Sequence, residues 1–156
     1  MDPEQVSLIQ ASFAGVVPIA EDAAALFYAR LFELDPALRP LFQGDLREQG
    51  RKLMTMLLVL VRGLEQPDQL LPVVEALGRR HADYGVRETQ YDTVGAALLW
   101  TLRQGLGKQL TPEGEAAWTA AYTLLANVMK QAAAELSKPA PARWEPQAST
   151  IQEERG

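Results

Sequence analysis

Apolar residues return every three or four positions along residues 2–137 of this chain, and the strict alternation of a half-buried strand is convincing nowhere. The period predicts a helix over 4–16, with Val6, Ile9, Phe13 and Val16 on one stripe, and another over 20–34, with Ala24, Phe27, Tyr28 and Leu31 together. Asp2-Pro3 gives the first of these a cap and a first-turn proline. Pro36 opens an element of one or two turns over 36–42. A connection through Gly44 then leads to a helix over 46–64, which carries Leu46, Gln49, Leu53, Leu57 and Leu60 on one face and ends near Gly63. Pro67-Asp68 starts the next, where Leu70, Val74, Leu77 and His81 share a face until Gly85 stops it. Two longer amphipathic helices over 88–106 and 112–137 are separated by Gly105, Gly107 and the start signal Thr111-Pro112-Glu113.

From Lys138 the periodicity is gone. KPAPARWEPQASTIQEERG is rich in proline and polar residues, so one folded domain over 1–137 and a disordered tail over 138–156 are expected, with Trp144 inside the tail. The composition, 47% apolar and 22% charged over 156 residues, is that of a globular protein. A chain of this size buries roughly 70% of its unfolded surface, enough to enclose a cofactor. The net charge of −5 and the lack of a basic stripe exclude a general nucleic-acid binder, for which the GRR at 78–80 is too short. With no cysteine there are no disulfides, thiolate metal sites or thiol nucleophiles, and no C-x-x-C-H attachment of haem. MDPEQVSLIQ is not a secretory signal, and the most apolar run, Leu53 to Val61, is well short of the ~20 residues that span a bilayer, so a cytoplasmic protein with no membrane contact is expected.

His81 is the only histidine, and it sits on an apolar helix face. One imidazole cannot build a multi-histidine metal cage, but it can be the single axial ligand of a haem iron. The plainer reading is a hydrogen-bonded core histidine. Arg79 and Arg80 beside it are either a charge offered to an acidic cofactor edge or a solvated face. Tyr28 has Ala24, Ala25 and Leu31 as its expected interior neighbours, and Gln49 lies one turn before Leu53 on an apolar stripe. A buried phenol or amide without a partner is costly, so two such groups on apolar faces point to a shared ligand. Trp100, Trp118 and Tyr122 read as core or as a self-association face, and no pair of acids stands out for glycosidase-type work.

The segments LFYARLF, DPALRPLF, QGRKLM, LGRRHADYGV and YDTVGAALL resemble the single-domain bacterial haemoglobins and the globin domain of flavohaemoglobins, in order and spacing, over about residues 3–136. The resemblance implies an all-α globin fold, seven or eight helices around a haem pocket. It implies His81 as the proximal ligand to iron, Phe42 as the aromatic wedging the porphyrin, Tyr28 and Gln49 as the distal pair that hydrogen-bonds a gas ligand, and Leu53 over the iron. Leu57, Leu77, Arg80, Val86, Tyr91 and Val94 complete the expected contacts with a non-covalent haem b. Phe42, Leu53 and Leu57 would serve equally as core residues.

One position departs from the pattern. Flavohaemoglobins use a tyrosine and a glutamate to orient the proximal imidazole; Tyr91 matches the tyrosine, but Ala133 stands at the place of the acid. Glu135, two residues on, points about 200° away around the helix. The resemblance thus implies reversible binding of O2, NO and CO by a monomer or homodimer, with nitric oxide dioxygenation as an extension that needs an external reductase. The alternatives are a globin-shaped sensor or interaction module, and a haem peroxidase-type scavenger.

Overall fold

The structure, a computed structural model, describes residues 1–137, and the expected disordered tail with Trp144 lies outside them. Six α-helices run in chain order among the described residues: α1 (Pro3–Val16), α2 (Ala20–Leu34), α3 (Leu46–Gly63), α4 (Pro67–Asp83), α5 (Gln90–Leu106) and α6 (Pro112–Ser137). Three short 3-10 segments, Val17–Ile19, Pro36–Leu41 and Gly107–Gln109, fill connections between them. The element expected over 36–42 is one of these. Pro40 offers no backbone N–H and its ring crowds the carbonyl of residue 36, which blocks α-helical continuation.

Helix starts follow local chemistry. Asp2 caps α1 in a capping box whose other half is Gln5, and the Asp45 carboxylate accepts from the Arg47 N–H at the start of α3. α5 begins at Gln90 rather than 88, because the Gln90 side chain folds back to accept the Arg87 N–H at 2.7 Å.

The main core joins five helices, with Ala23 as the contribution of α2. Ile9, Phe13 and Val16 of α1 pack with Val61 of α3, Leu102 and Leu106 of α5, and Ala117, Trp118 and Ala121 of α6. Trp118 keeps its indole N–H satisfied by donating to Ser12 Oγ at 2.8 Å, as a buried indole must. Residues 3–34 together are long and apolar enough to cross a membrane, but Val17–Ile19 breaks them into two helices. The apolar side chains Ile9, Phe13, Phe27 and Leu31 are buried in the protein interior. Ala25 is exposed, contrary to its expected place beside Tyr28: it lies 100° around the helix from Ala24, away from the buried face of Ala24, Phe27, Tyr28 and Leu31.

Two close approaches set the positions of α3 and α4. A Cβ at Gly50 would lie 2.9 Å from Ala24 Cβ, so α2 and α3 cross in near contact there. A Cβ at Gly78 would lie 2.5 Å from the Met129 carbonyl oxygen, so α4 rests directly on the backbone of α6. Gln49 is next to the first crossing and His81 lies one turn beyond the second.

Candidate functional site

The crossing at Gly50 brings Tyr28 alongside α3. Tyr28 is buried, and its ring meets Phe42 edge-on at 5.3 Å and stacks with Phe32 at 6.0 Å. Phe42 in turn meets Phe32 at 5.6 Å, and the Arg39 guanidinium fastens this corner by donating to the Phe42 carbonyl at 2.7 Å while lying over the Phe32 ring. Leu46, Leu53, Val94 and Leu98 pack against the same cluster. The Tyr28 hydroxyl has no hydrogen-bond partner among the described residues, and neither has the Gln49 amide, which is half-buried. Burial pushes the Tyr28 phenol up to about 12, so it is a neutral O–H with its donor free.

The second half of the site is built on α4 and the start of α5. Leu77, Val86 and Tyr91 belong to an apolar cluster with Leu70, Val74, Ala126 and Met129. His81 lies against Tyr91, ring centroids 6.4 Å apart, and its Nδ1 is 2.9 Å from the Leu77 carbonyl oxygen. A carbonyl can only accept, so the proton sits on Nδ1 and Nε2 keeps its lone pair. Burial lowers the pKa of this imidazole; the bond to Leu77 opposes that shift and the nearby Arg80 adds to it. The ring is therefore held neutral, the form that binds a metal.

Behind His81 the packing leaves one polar atom unsatisfied. Tyr91 is buried, and its hydroxyl is without a partner among the described residues. Its backbone carbonyl accepts from the Tyr122 hydroxyl at 2.5 Å, and its ring lies 5.9 Å from the Lys130 ammonium. Ala133 is the next half-buried position along α6 beyond Lys130 and Ala132, and it offers no acceptor.

The stripe Leu46, Gln49, Leu53, Leu57 and Leu60 on α3 is half-buried throughout, as are Leu77, His81 and Val86 on the α4 side and Val94 on α5. These residues stop short of the full burial seen for Ile9 or Leu31, so α3 and α4 keep apolar surface that a further apolar group could cover. Leu57 differs from the others: it packs on the main core and, with Leu53, Phe27 and Trp118, lines an apolar cavity of about 20 Å³. Arg80 is exposed at the edge of the site. Reading the chain missed Phe32 and Arg39, which hold Phe42, and the two crossing glycines; an isolated glycine inside a helical pattern was the available signal for Gly50 and Gly78.

Residues 25–129 match the family model of the globins. The chain belongs to the globin family. Flavohaemoproteins of Bordetella parapertussis and Bordetella bronchiseptica are each 33% identical over 132 residues, 83% of this chain. The chain spans a third of their length. Among solved structures, a bacterial globin from Campylobacter jejuni superposes with a TM-score of 0.76 over 87% of this chain and 99% of its own, at 24% identity, which is a likeness of fold. An engineered carbene transferase from Rhodothermus marinus, its parent a candidate nitric oxide dioxygenase, gives 0.78 over 88% of this chain and 96% of its own, at 26% identity. Globins hold haem between their helices, and the residues here fit that group: a neutral imidazole with Nε2 free, two half-buried apolar stripes, and unpartnered donors on Tyr28 and Gln49.

Proposed function

We propose that this globin holds a b-type haem without a covalent bond and reversibly binds oxygen, nitric oxide and carbon monoxide. When bound, the haem would supply a ferrous iron able to take up a diatomic gas. His81 Nε2 would hold the iron, and Phe42, Leu53, Leu77, Val86, Tyr91 and Val94 would supply the apolar contacts. The Tyr28 O–H and the Gln49 amide N–H, unpartnered in the protein, would be the donors offered to a bound gas, since a partly anionic acceptor favours such donors. The observation that carries this reading is the hydrogen bond from His81 Nδ1 to the Leu77 carbonyl, which leaves Nε2 free to bind iron.

The proximal side favours holding over oxidation. Among the described residues the only partner of His81 Nδ1 is a neutral carbonyl, and no carboxylate bonds the Tyr91 hydroxyl behind it. A neutral acceptor makes the imidazole a weaker electron donor than a carboxylate would. Nitric oxide dioxygenation is the enzymatic extension, supported by the likeness to the Rhodothermus protein, and its turnover requires an electron source. His81→Gly tests the ligand assignment: the variant is expected to lose its haem and to recover a five-coordinate ferrous spectrum when imidazole is added. Retention of the native ferrous spectrum without imidazole would refute it.

A further inference from the structure

The charges of the folded domain are unevenly placed. Seven of the twelve Lys and Arg residues of 1–137 fall within 36–52 and 78–88, the two segments that frame the site, against four of the seventeen acids. The two ion pairs among the described residues, Arg30–Glu33 and Arg103–Glu115, use none of these seven cations. The two segments meet in space, since a Cβ at Gly85 would lie 3.5 Å from Leu41 Cδ2. Arg39 lies two residues from Leu41 and Arg87 two from Gly85, both exposed, as is Arg80; Tyr84, next to Gly85, is 67% exposed, the most open large apolar side chain among the described residues. Exposed tyrosine among arginines is the composition of a docking face.

The same junction is tied to the helix turn that carries the imidazole. Tyr84 follows His81 by three residues, and the turn is tied back by Val86 N–H donating to the His81 carbonyl at 3.0 Å. On the reading that His81 binds haem iron, we infer that Arg39, Arg80, Tyr84 and Arg87 form the docking face for an electron-donor protein whose own surface is acidic around its cofactor. In the docked pair one electron leaves the donor's reduced flavin and enters the ferric iron; no bond forms or breaks.

The sign of the salt dependence decides. This chain carries −5, so an acidic protein that meets it without a local basic face is repelled, and added salt would strengthen the encounter. Docking on the arginine face gives the opposite sign. The experiment uses the haem-loaded protein with flavodoxin, a small acidic flavin protein. Affinity is measured by calorimetry with both proteins oxidised, and reduction of the ferric protein by reduced flavodoxin is followed in stopped flow under carbon monoxide. Both affinity and rate are expected to fall as salt rises, and Arg87→Glu is expected to weaken each about tenfold at low salt. Tyr84→Ser is expected to weaken the affinity as well, while Lys108→Glu, beyond the far end of α5, leaves both unchanged. A rate that rises with salt or ignores it, or equal behaviour of Arg87→Glu and Lys108→Glu, would overturn the inference. Haem loss in Arg87→Glu would also overturn it, by making that arginine a haem anchor. Dithionite reduction followed by oxygen tests the gas-binding reading separately: its failure would leave the calorimetric result to judge the docking face.

Discussion

Tyr28 and Tyr122 have similar burial chemistry and opposite consequences. The Tyr122 hydroxyl is spent inside the protein, donating to the Tyr91 carbonyl, whereas the Tyr28 hydroxyl has no partner among the described residues. Removing a used donor costs about 1 kcal/mol and leaves a carbonyl short; removing an unused one is neutral or stabilising. Tyr122→Phe is therefore expected to lower apoprotein stability in urea by about that amount, and Tyr28→Phe to leave it unchanged or raise it. In the oxygenated protein the order reverses. Losing a donor to a partly anionic acceptor costs about 1.5–3 kcal/mol, so Tyr28→Phe should release oxygen about ten- to a hundredfold faster, as measured by displacement with carbon monoxide. Gln49→Leu should act in the same direction, and the double variant should fall short of the product of the two effects, because both donors act on one guest. Burial raises both phenols above their ordinary 10.0, Tyr28 to about 12 and Tyr122 further, with Tyr91 and Asp92 adding to the Tyr122 shift. The unfolded chain then releases these protons first, so stability is fully present below pH 10 and falls as pH rises from there toward the folded values. Tyr122→Phe should flatten part of that alkaline loss in apoprotein unfolding curves.

At the level of elements, the site depends on where α3 and α4 touch their neighbours. Gly78→Ala would press a methyl group into the Met129 backbone, which cannot rotate aside as a side chain can. Overpacking of this kind costs about 1–3 kcal/mol, and the expected result is a lower melting temperature by circular dichroism together with weaker haem retention, since α4 must lift to relieve it. A variant with native stability and native haem affinity would show that α4 is not positioned there. The six α-helices were legible from the apolar period within one or two residues at their ends, because each buries one stripe. The short 36–41 segment was legible as an element but not as a 3-10 turn, since that outcome depends on how Pro40 meets the preceding carbonyl. Ala25 was misplaced because three adjacent alanines carry no period by themselves. His81, Tyr28 and Phe42 stood out as chemistry in an apolar setting. The hydrogen bond to Leu77, the unpartnered Tyr91 hydroxyl and the part played by Arg39 required packing between elements distant in sequence.

For the molecule as a whole, α5 is the element shared by every part. Leu102 and Leu106 belong to the main core, Val94, Ala97 and Leu98 to the Tyr28 cluster, and Tyr91 to the His81 cluster. A planar apolar group between α3 and α4 would join the last two clusters and bury the stripes that remain half-exposed, so binding and folding are linked. Stoichiometric haemin is expected to raise the melting temperature of the apoprotein, and His81→Ala is expected to remove most of that rise. The most direct test of the central claim is the absorption spectrum of the purified protein with one equivalent of haemin, recorded ferric, reduced with dithionite, and after oxygen is added to the reduced form. A sharp Soret band that moves on reduction and again to a stable oxygenated spectrum is the expected result. Haem that stays unbound, or no more ordered than in buffer, would contradict the account.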